Sequence, residues 1–382
     1  MFTRAFILSA LPAALLMLGC GYYYIGAAQK PQHLIFYIGV LGVLWRYRSS
    51  LTAVVLQPLM GGVVAYWLYQ AMSLGWSPIA NGEEYGEILR KGLLTLLFVW
   101  GAALALVQPH YRRYFAQILV TIASVSAAIA LALHYGAETM PERMNGLGRS
   151  QNAVQGGCLY GFALILAAWL GLQDKAKRWI WGICWAVLLV ALLATASRGA
   201  LLAALVAHLL LMIQVQRRAM MIVLLVGAMI VLGILVAYPE LLARADGFRF
   251  FIWQEAWQQM RADWLLGMGY RAPFAVTLPY GETIYQPHSI YITALYHGGV
   301  MGLCLLCGVG AMAWKTVNHP LSKALLANAM VIGFTDFSLL WVNGEIEWLL
   351  FWLPLAMLLA DNSVKLVCQT EQGEARELRG LG

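Results

Sequence analysis

Apolar residues along this chain fall into long runs set apart by short polar and basic clusters. Crossing the hydrocarbon core of a bilayer takes about 20 mainly apolar residues, within a range of about 17 to 25. By that measure the candidate spans are 5–25, 33–45, 51–74, 92–108, 114–135, 153–172, 179–195, 199–214, 219–237, 288–313, 324–341 and 348–362, twelve in all. The run 33–45 is short and reads as tilted or half inserted unless it starts nearer Gln29. The opening resembles a signal peptide, with Arg4 ahead of an apolar core and "MLGC" ending at Cys20 like a lipoprotein cleavage site. Met17 fits that site poorly, so the segment is expected to stay as a first helix.

Composition points the same way: 61% of residues are hydrophobic and only 11% charged, against roughly 25% charged in soluble domains. The chain is therefore read as an all-α polytopic membrane protein. Residues 1–362 form one transmembrane domain, 238–287 a large loop between spans nine and ten, and 363–382 a cytoplasmic tail. Cys20, Cys158, Cys184, Cys304, Cys307 and Cys368 are scattered, mostly inside apolar runs, and suggest neither disulfides nor a zinc site. The net charge of +7 lies in loops between spans, so no nucleic-acid partner is expected. With both termini inside, 15 of the 25 Lys and Arg residues fall on the inner face, and each short inner loop has at least two. Four of the remaining ten sit in the long 238–287 loop, where the positive-inside rule loses force.

Within "LLVALLATASRGALLAALVAHLLLMI", Arg198 interrupts two apolar runs. An arginine at mid-bilayer costs at least ~2.5 kcal/mol on insertion scales, so it must pair, reach water or bind something. The stretch Trp179 to Ile213 would reach roughly 52 Å as a single helix, against a core of about 30 Å. A hairpin of two short spans fits, and it sets Thr195, Ser197, Arg198 and Gly199 at the outer surface. Spacing alone leaves open a snorkelling arginine at a tight turn. On the same face, "FRFFIWQEAWQQMRADW" is spaced as an amphipathic helix with Arg249 near its start. His288 follows Pro287 at the first turn of span ten. Arginine offers a charged planar fork suited to phosphate oxygens, and histidine can take a proton near neutral pH. Such a set would grip an anionic leaving group and deprotonate a nucleophile; a positive loop facing lipid head groups would look similar.

The pieces "TASRGALLAAL", "FRFFIWQEAWQQMRADWLLGMGY" and "HSIYITALYHGGVMG" resemble consecutive signatures of the O-antigen ligase and polymerase superfamily of bacterial inner membranes. His288 and Ser289, nine residues, then Gly299, two residues and Gly302 match the ligase pattern, and glycine at 299 and 302 would let span ten pack closely on a neighbour. Arg198 resembles the family's arginine at the turn between spans seven and eight. Arg249, four residues before Trp253, resembles its second arginine, and Arg143 with Asn152 its polar segment before span six. The resemblance covers roughly 140–310.

It implies a glycosyltransferase-C-like fold and an inverting transfer of polysaccharide from undecaprenyl diphosphate to a sugar hydroxyl of lipid A-core at the periplasmic face. The implied partners are undecaprenyl-diphosphate-linked O-antigen, the lipid A-core acceptor and membrane lipid. Arg198 and Arg249 would stabilise the departing diphosphate and His288 would act as general base. Arg143, Asn152, Ser289, Tyr291 and Arg271 are candidates for holding donor or acceptor. No Asp-x-Asp pair occurs on the outer face, where the acidic residues, including Glu142, Glu282, Glu345 and Glu347, are dispersed. Arginine is therefore preferred to a metal as the diphosphate clamp, and no cofactor is expected. Asp336, inside span eleven, needs a partner, either Asn328 or a basic group from another span, and a structural role is preferred for it. The neighbouring readings are an O-antigen polymerase and a protein O-oligosaccharyltransferase; from another class, a transporter, which would tend to show matching halves and mid-membrane helix breaks.

The charge count makes a direct prediction. Single cysteines at Glu142 and Glu282 should react with an impermeant thiol reagent outside spheroplasts, and one at Lys175 should not; reversed labelling would invert the topology.

Overall fold

The structure is a computed structural model that describes residues 4–25, 34–41, 57–137, 141–215, 248–342 and 345–363. Its elements are α1 (Arg4–Gly21), α2 (Pro58–Ser73), α3 (Gly82–Leu106), α4 (Pro109–Tyr135), α5 (Ala153–Gln173), α6 (Arg178–Ala194), α7 (Arg198–Val215), α8 (Arg249–Met260), α9 (Ile290–Thr316), α10 (Pro320–Thr335) and α11 (Trp348–Ser363). A short unlabelled helix covers 34–41. The expected span 219–237, the tail beyond Ser363 and the first part of the long loop lie outside the described residues. Among the described residues, four helices, α3, α4, α5 and α9, are long and apolar enough to cross a membrane, and α6, α7, α10 and α11 are shorter apolar helices. The protein is an all-α multi-pass membrane protein. The only departure among the described residues is a hairpin of two-residue strands in the long loop, where Val276 pairs with Ile284 and Thr277 with Thr283.

Helix α5 is the axis of the bundle. It packs against α4, α6, α7 and α10, and nearly its whole length is buried. Side chains that face outward from the surrounding helices are apolar, among them Leu93, Ile129, Leu133, Ile183 and Leu202, as lipid contact requires. Helices α6 and α7 form the expected hairpin, broken at Thr195–Ser197. The break is tight against α5: a Cβ on Gly157 would come within 2.8 Å of Ser197 and 2.9 Å of the Thr195 hydroxyl.

Helix α9 is broken, which its sequence pattern did not predict. Gly299 takes φ 60° and ψ −164°, a combination open essentially to glycine alone. The break releases backbone groups that the 264–269 loop then satisfies. Met268 N–H donates to Tyr296 O at 2.8 Å, Gly269 N–H to His297 O at 2.9 Å and Val300 N–H to Trp264 O at 2.9 Å. Gly299 and Gly302 were expected to allow close helix packing. Gly302 does so against Tyr69 of α2, whose hydroxyl donates to Gly298 O at 2.6 Å. Gly299 instead admits the loop backbone at Leu265 and Gly267. The long loop is thus stitched into the bundle rather than hanging from it.

Its amphipathic helix α8 buries Ile252, Ala256 and Met260, one face at four-residue spacing, against Phe274, Val276, Leu278 and Tyr296.

Gly299→Ala should therefore lower stability in detergent by roughly 2 kcal/mol or more, since strain and collision add. Gly308→Ala on the same helix, where nothing lies within 4 Å, should leave the melting temperature unchanged.

Candidate functional site

A cavity of about 760 Å³ opens where the α6–α7 turn, the start of α5, the start of α8, the segment before α9 and the end of α10 meet. Arg143, Asn152, Arg198, Arg249 and His288 all line it. Five of the eight residues singled out in the sequence are therefore brought together from five separate stretches of chain. Three are not. Ser289 is buried as the N-cap of α9, accepting from Ile292 N–H. The Tyr291 hydroxyl donates to Met330 O at 3.1 Å, away from the cavity. Arg271 pairs with Glu84 at 2.7 Å and with Glu87, tying the long loop to the start of α3.

Local backbone explains how the site residues are aimed. Ala196, Phe248 and His288 have φ values of 49°, 61° and 52°, the left-handed region that non-glycine residues rarely adopt. Ala196 turns the chain just before Arg198, Phe248 immediately precedes Arg249, and His288 is itself strained. Such strain persists only where surrounding contacts impose it, and it concentrates at functional sites. Here the contacts are visible. Arg143 Nε donates to Thr195 O at 2.9 Å, bracing the α6–α7 turn. The indole of Trp253 donates to Pro287 O at 3.0 Å, fixing the approach to His288, and His288 N–H donates to the Ser338 hydroxyl at 3.2 Å. Asn152 caps α5 by accepting from Val154 N–H at 2.9 Å, so the positive end of that helix faces the cavity.

Asp336 is the residue that sequence reasoning misplaced. It is not inside a span: α10 stops at Thr335 and Asp336 leaves helical geometry at φ −140°. Its partner is Arg249 from the long loop, at 2.7 Å, and not Asn328, whose amide is buried without a hydrogen-bond partner. Asp336 also accepts from the Thr335 hydroxyl at 2.9 Å. Gly199, next to Arg198, lies so close to Thr335 and the Asp336 carboxylate that a Cβ would strike both. The available signal was a lone carboxylate in an apolar run, which had to have a cationic partner somewhere. The acidic residues that look dispersed in sequence also converge: Glu142, Glu282, Asp336 and Glu347 all reach this cavity. No three of the described His, Cys, Asp and Glu residues close into a metal-holding group.

Burial, then the positive charge of Arg249, lower the proton affinity of the His288 ring below that of an ordinary histidine, while Asp336 opposes them through its charge and its backbone. The imidazole is thus neutral at pH 7 and free to accept a proton. Arginines, a neutral imidazole and a helix N-terminus facing one polar cavity suit an anionic ligand beside a group that must lose a proton.

The protein is thus a polytopic membrane protein whose arginine- and histidine-bearing cavity lies at one end of its helices. A family profile described as O-Antigen ligase matches residues 183–307, a stretch holding Arg198, Arg249 and His288 but neither Arg143 nor Asp336. The O-antigen ligase of Pseudomonas aeruginosa strain PAO1 is 31% identical over 369 residues, covering 92% of this chain and 90% of that protein. The chain belongs to the O-antigen ligase family.

If Arg249 acts through its planar fork, one arm held by Asp336 and the other turned to ligand, lysine cannot replace it. Arg249→Lys and Arg198→Lys should each lower glycan transfer at least about tenfold at equal membrane abundance, for charge without the fork. Parental rates from both variants would show that charge alone suffices.

Proposed function

We propose that this protein is an O-antigen ligase that transfers polysaccharide from undecaprenyl diphosphate to a sugar hydroxyl of lipid A-core, without a metal and with inversion. The observation that carries the reading is the convergence of Arg198, Arg249 and a neutral His288 on one cavity. In this reading the acceptor hydroxyl attacks the anomeric carbon and the bond to the diphosphate breaks. His288 takes the acceptor's proton while the arginines meet the charge that develops on the leaving group. Arg143 and Asn152 shape the donor side of the cavity. Ser289, Tyr291 and Arg271 act at one remove: Ser289 caps the helix behind His288, and the other two hold the surrounding elements.

The cavity is placed at the periplasmic face of the inner membrane, in a chain of about twelve spans with both termini cytoplasmic. The long loop 238–287 is then periplasmic, within a transmembrane domain covering 1–362. Support comes from the ion pairs. Arg112 with Asp361 and Arg113 with Asp174 join segments at the end of the bundle where the basic count puts the inner face; Arg149 with Glu345, Arg249 with Asp336 and Arg271 with Glu84 join segments at the opposite end. No described ion pair crosses between the two sets. A polymerase would use the same donor; the ligase reading is preferred because the relative that matches nearly the whole chain is an O-antigen ligase.

His288→Ala should leave donor binding intact while single-turnover transfer falls by about 100-fold or more, because base catalysis acts on the chemical step. His288 must be deprotonated to act, and its proton affinity is lowered. The acid limb of kcat/KM in the parent should therefore lie below pH ~6.5, the value of an unperturbed histidine, with activity full above it and lost as pH falls through it. The alanine variant should lack that limb. A variant that transfers at the parental rate would remove His288 from the chemistry. His297, buried against Tyr270 and Tyr296 and outside the cavity, should accept glutamine with far less loss.

A further inference from the structure

Glu347 lines the cavity, yet the transfer chemistry gives it no task. It stands immediately before α11, whose first turn, Trp348–Trp352, is π-helical, a rare geometry that recurs at functional sites. The preceding residue pair is pinned from two sides. The Tyr22 hydroxyl donates to Glu345 O at 2.9 Å, and Arg149 pairs with the Glu345 carboxylate at 2.7 Å. Arg149 is thereby engaged by Glu345. The Oε2 atom of Glu347 is fully buried and has no hydrogen-bond partner, a costly condition for a polar atom unless a ligand relieves it. Arg249, Asp336 and Glu347 line the same cavity.

We propose that Glu347 hydrogen-bonds a hydroxyl of the sugar joined directly to the donor's diphosphate, and so selects sugar-bearing donor lipid. This rests on the donor assignment made above. A carboxylic acid offers one donor and one acceptor, the complement of a sugar hydroxyl, whereas phosphate oxygens are better met by arginine. The first sugar is the part of the donor that must lie beside a diphosphate held at Arg249, and Glu347 lines the same cavity. Burial pushes the Glu347 carboxyl up to about 8; its own backbone N–H opposes the shift, Glu345 adds to it and Arg149 opposes it. The other groups around it are Tyr22 from α1, Cys158 from α5 and, lining the same cavity, Arg249, Asp336, Glu142 and Glu282. Because the affinity for the proton is raised, the hydrogen-bonding acid is present below pH 8 and is lost as pH rises through that value. The anion that remains cannot donate and repels the diphosphate.

The test is binding of two probes to the full chain in nanodiscs: undecaprenyl diphosphate alone, and the same lipid carrying one N-acetylglucosamine. The parent should prefer the sugar-bearing lipid at pH 7 and lose that preference by pH 9. Glu347→Met should weaken the sugar-bearing lipid about tenfold, the worth of one hydrogen bond, and leave the sugar-free lipid unchanged. Glu347→Gln, which keeps a donor and an acceptor without titrating, should hold the preference at both pH values. It tests the proposal even if the methionine variant fails to fold. A preference that survives methionine, an equal loss of both lipids, or glutamine behaving like methionine would each overturn the assignment. A parent that binds the two lipids equally would dispose of Glu347 alone, whereas a parent that binds neither would remove the donor reading itself.

Discussion

The contact between Arg249 and Asp336 joins the two parts of the protein that have least reason to stay together. One partner begins the only long helix of the described loop; the other ends a helix of the bundle. Burial to 5% exposure raises the proton affinity of the Asp336 carboxyl; the Arg249 guanidinium, at 30%, opposes that most, and removing either partner leaves the other uncompensated. Everything at the cavity is keyed to this contact. Gly199 packs on the Asp336 carboxylate and so sets the height of Arg198. Ser338, two residues beyond Asp336, receives the N–H of His288. The ion pair therefore spaces the two arginines and the histidine relative to one another, as well as fixing the loop.

The broken helix α9 is the second half of the same arrangement. A continuous helix there would consume its own backbone groups and leave the 264–269 loop nothing to bind. With the break at Gly299, helix carbonyls and amides become the loop's hydrogen-bond partners, and a polar loop can sit at the bundle without unsatisfied backbone. The loop is thus held at one end by charge and at the other by backbone pairing, with α8 packed between. His288 follows both anchors in the chain, and its N–H donates to Ser338, two residues past Asp336; its backbone is strained and the proton affinity of its half-buried ring is lowered.

Within the cavity, the division of polar groups follows their chemistry. Arginines and the start of α5 supply permanent positive character, suited to phosphate oxygens. Asn152, Gln155 and Glu347 supply groups that both donate and accept, suited to hydroxyls when the carboxyl is protonated. The apolar exteriors of the helices keep this polar set at one end of the bundle.

Composition and run length by themselves determined that the chain is an all-α membrane protein, because each span must satisfy its own backbone in lipid and so carries its signal locally. The α6–α7 hairpin was legible for the same reason: the apolar stretch around Arg198 is too long for one crossing, and only a break relieves it. Arg198 and Arg249 were legible because a cation in or beside an apolar run stands out against its neighbours, and His288 because it opens span ten in a stretch that resembles the family's pattern. What the sequence could not show is which distant groups meet. Asp336 looked like a mid-span carboxylate, since nothing local reveals that Arg249, 87 positions away, draws it out of the helix. Glu142, Glu282 and Glu347 looked dispersed because their convergence is a property of helix packing. Gly299 looked like a packing glycine, and its positive φ follows only from the loop backbone that occupies the space beside it. Local physics fixes whether a segment crosses the membrane, while the pairing of isolated charges and the proton affinity of His288 depend on burial and on partners that only the folded bundle brings within reach.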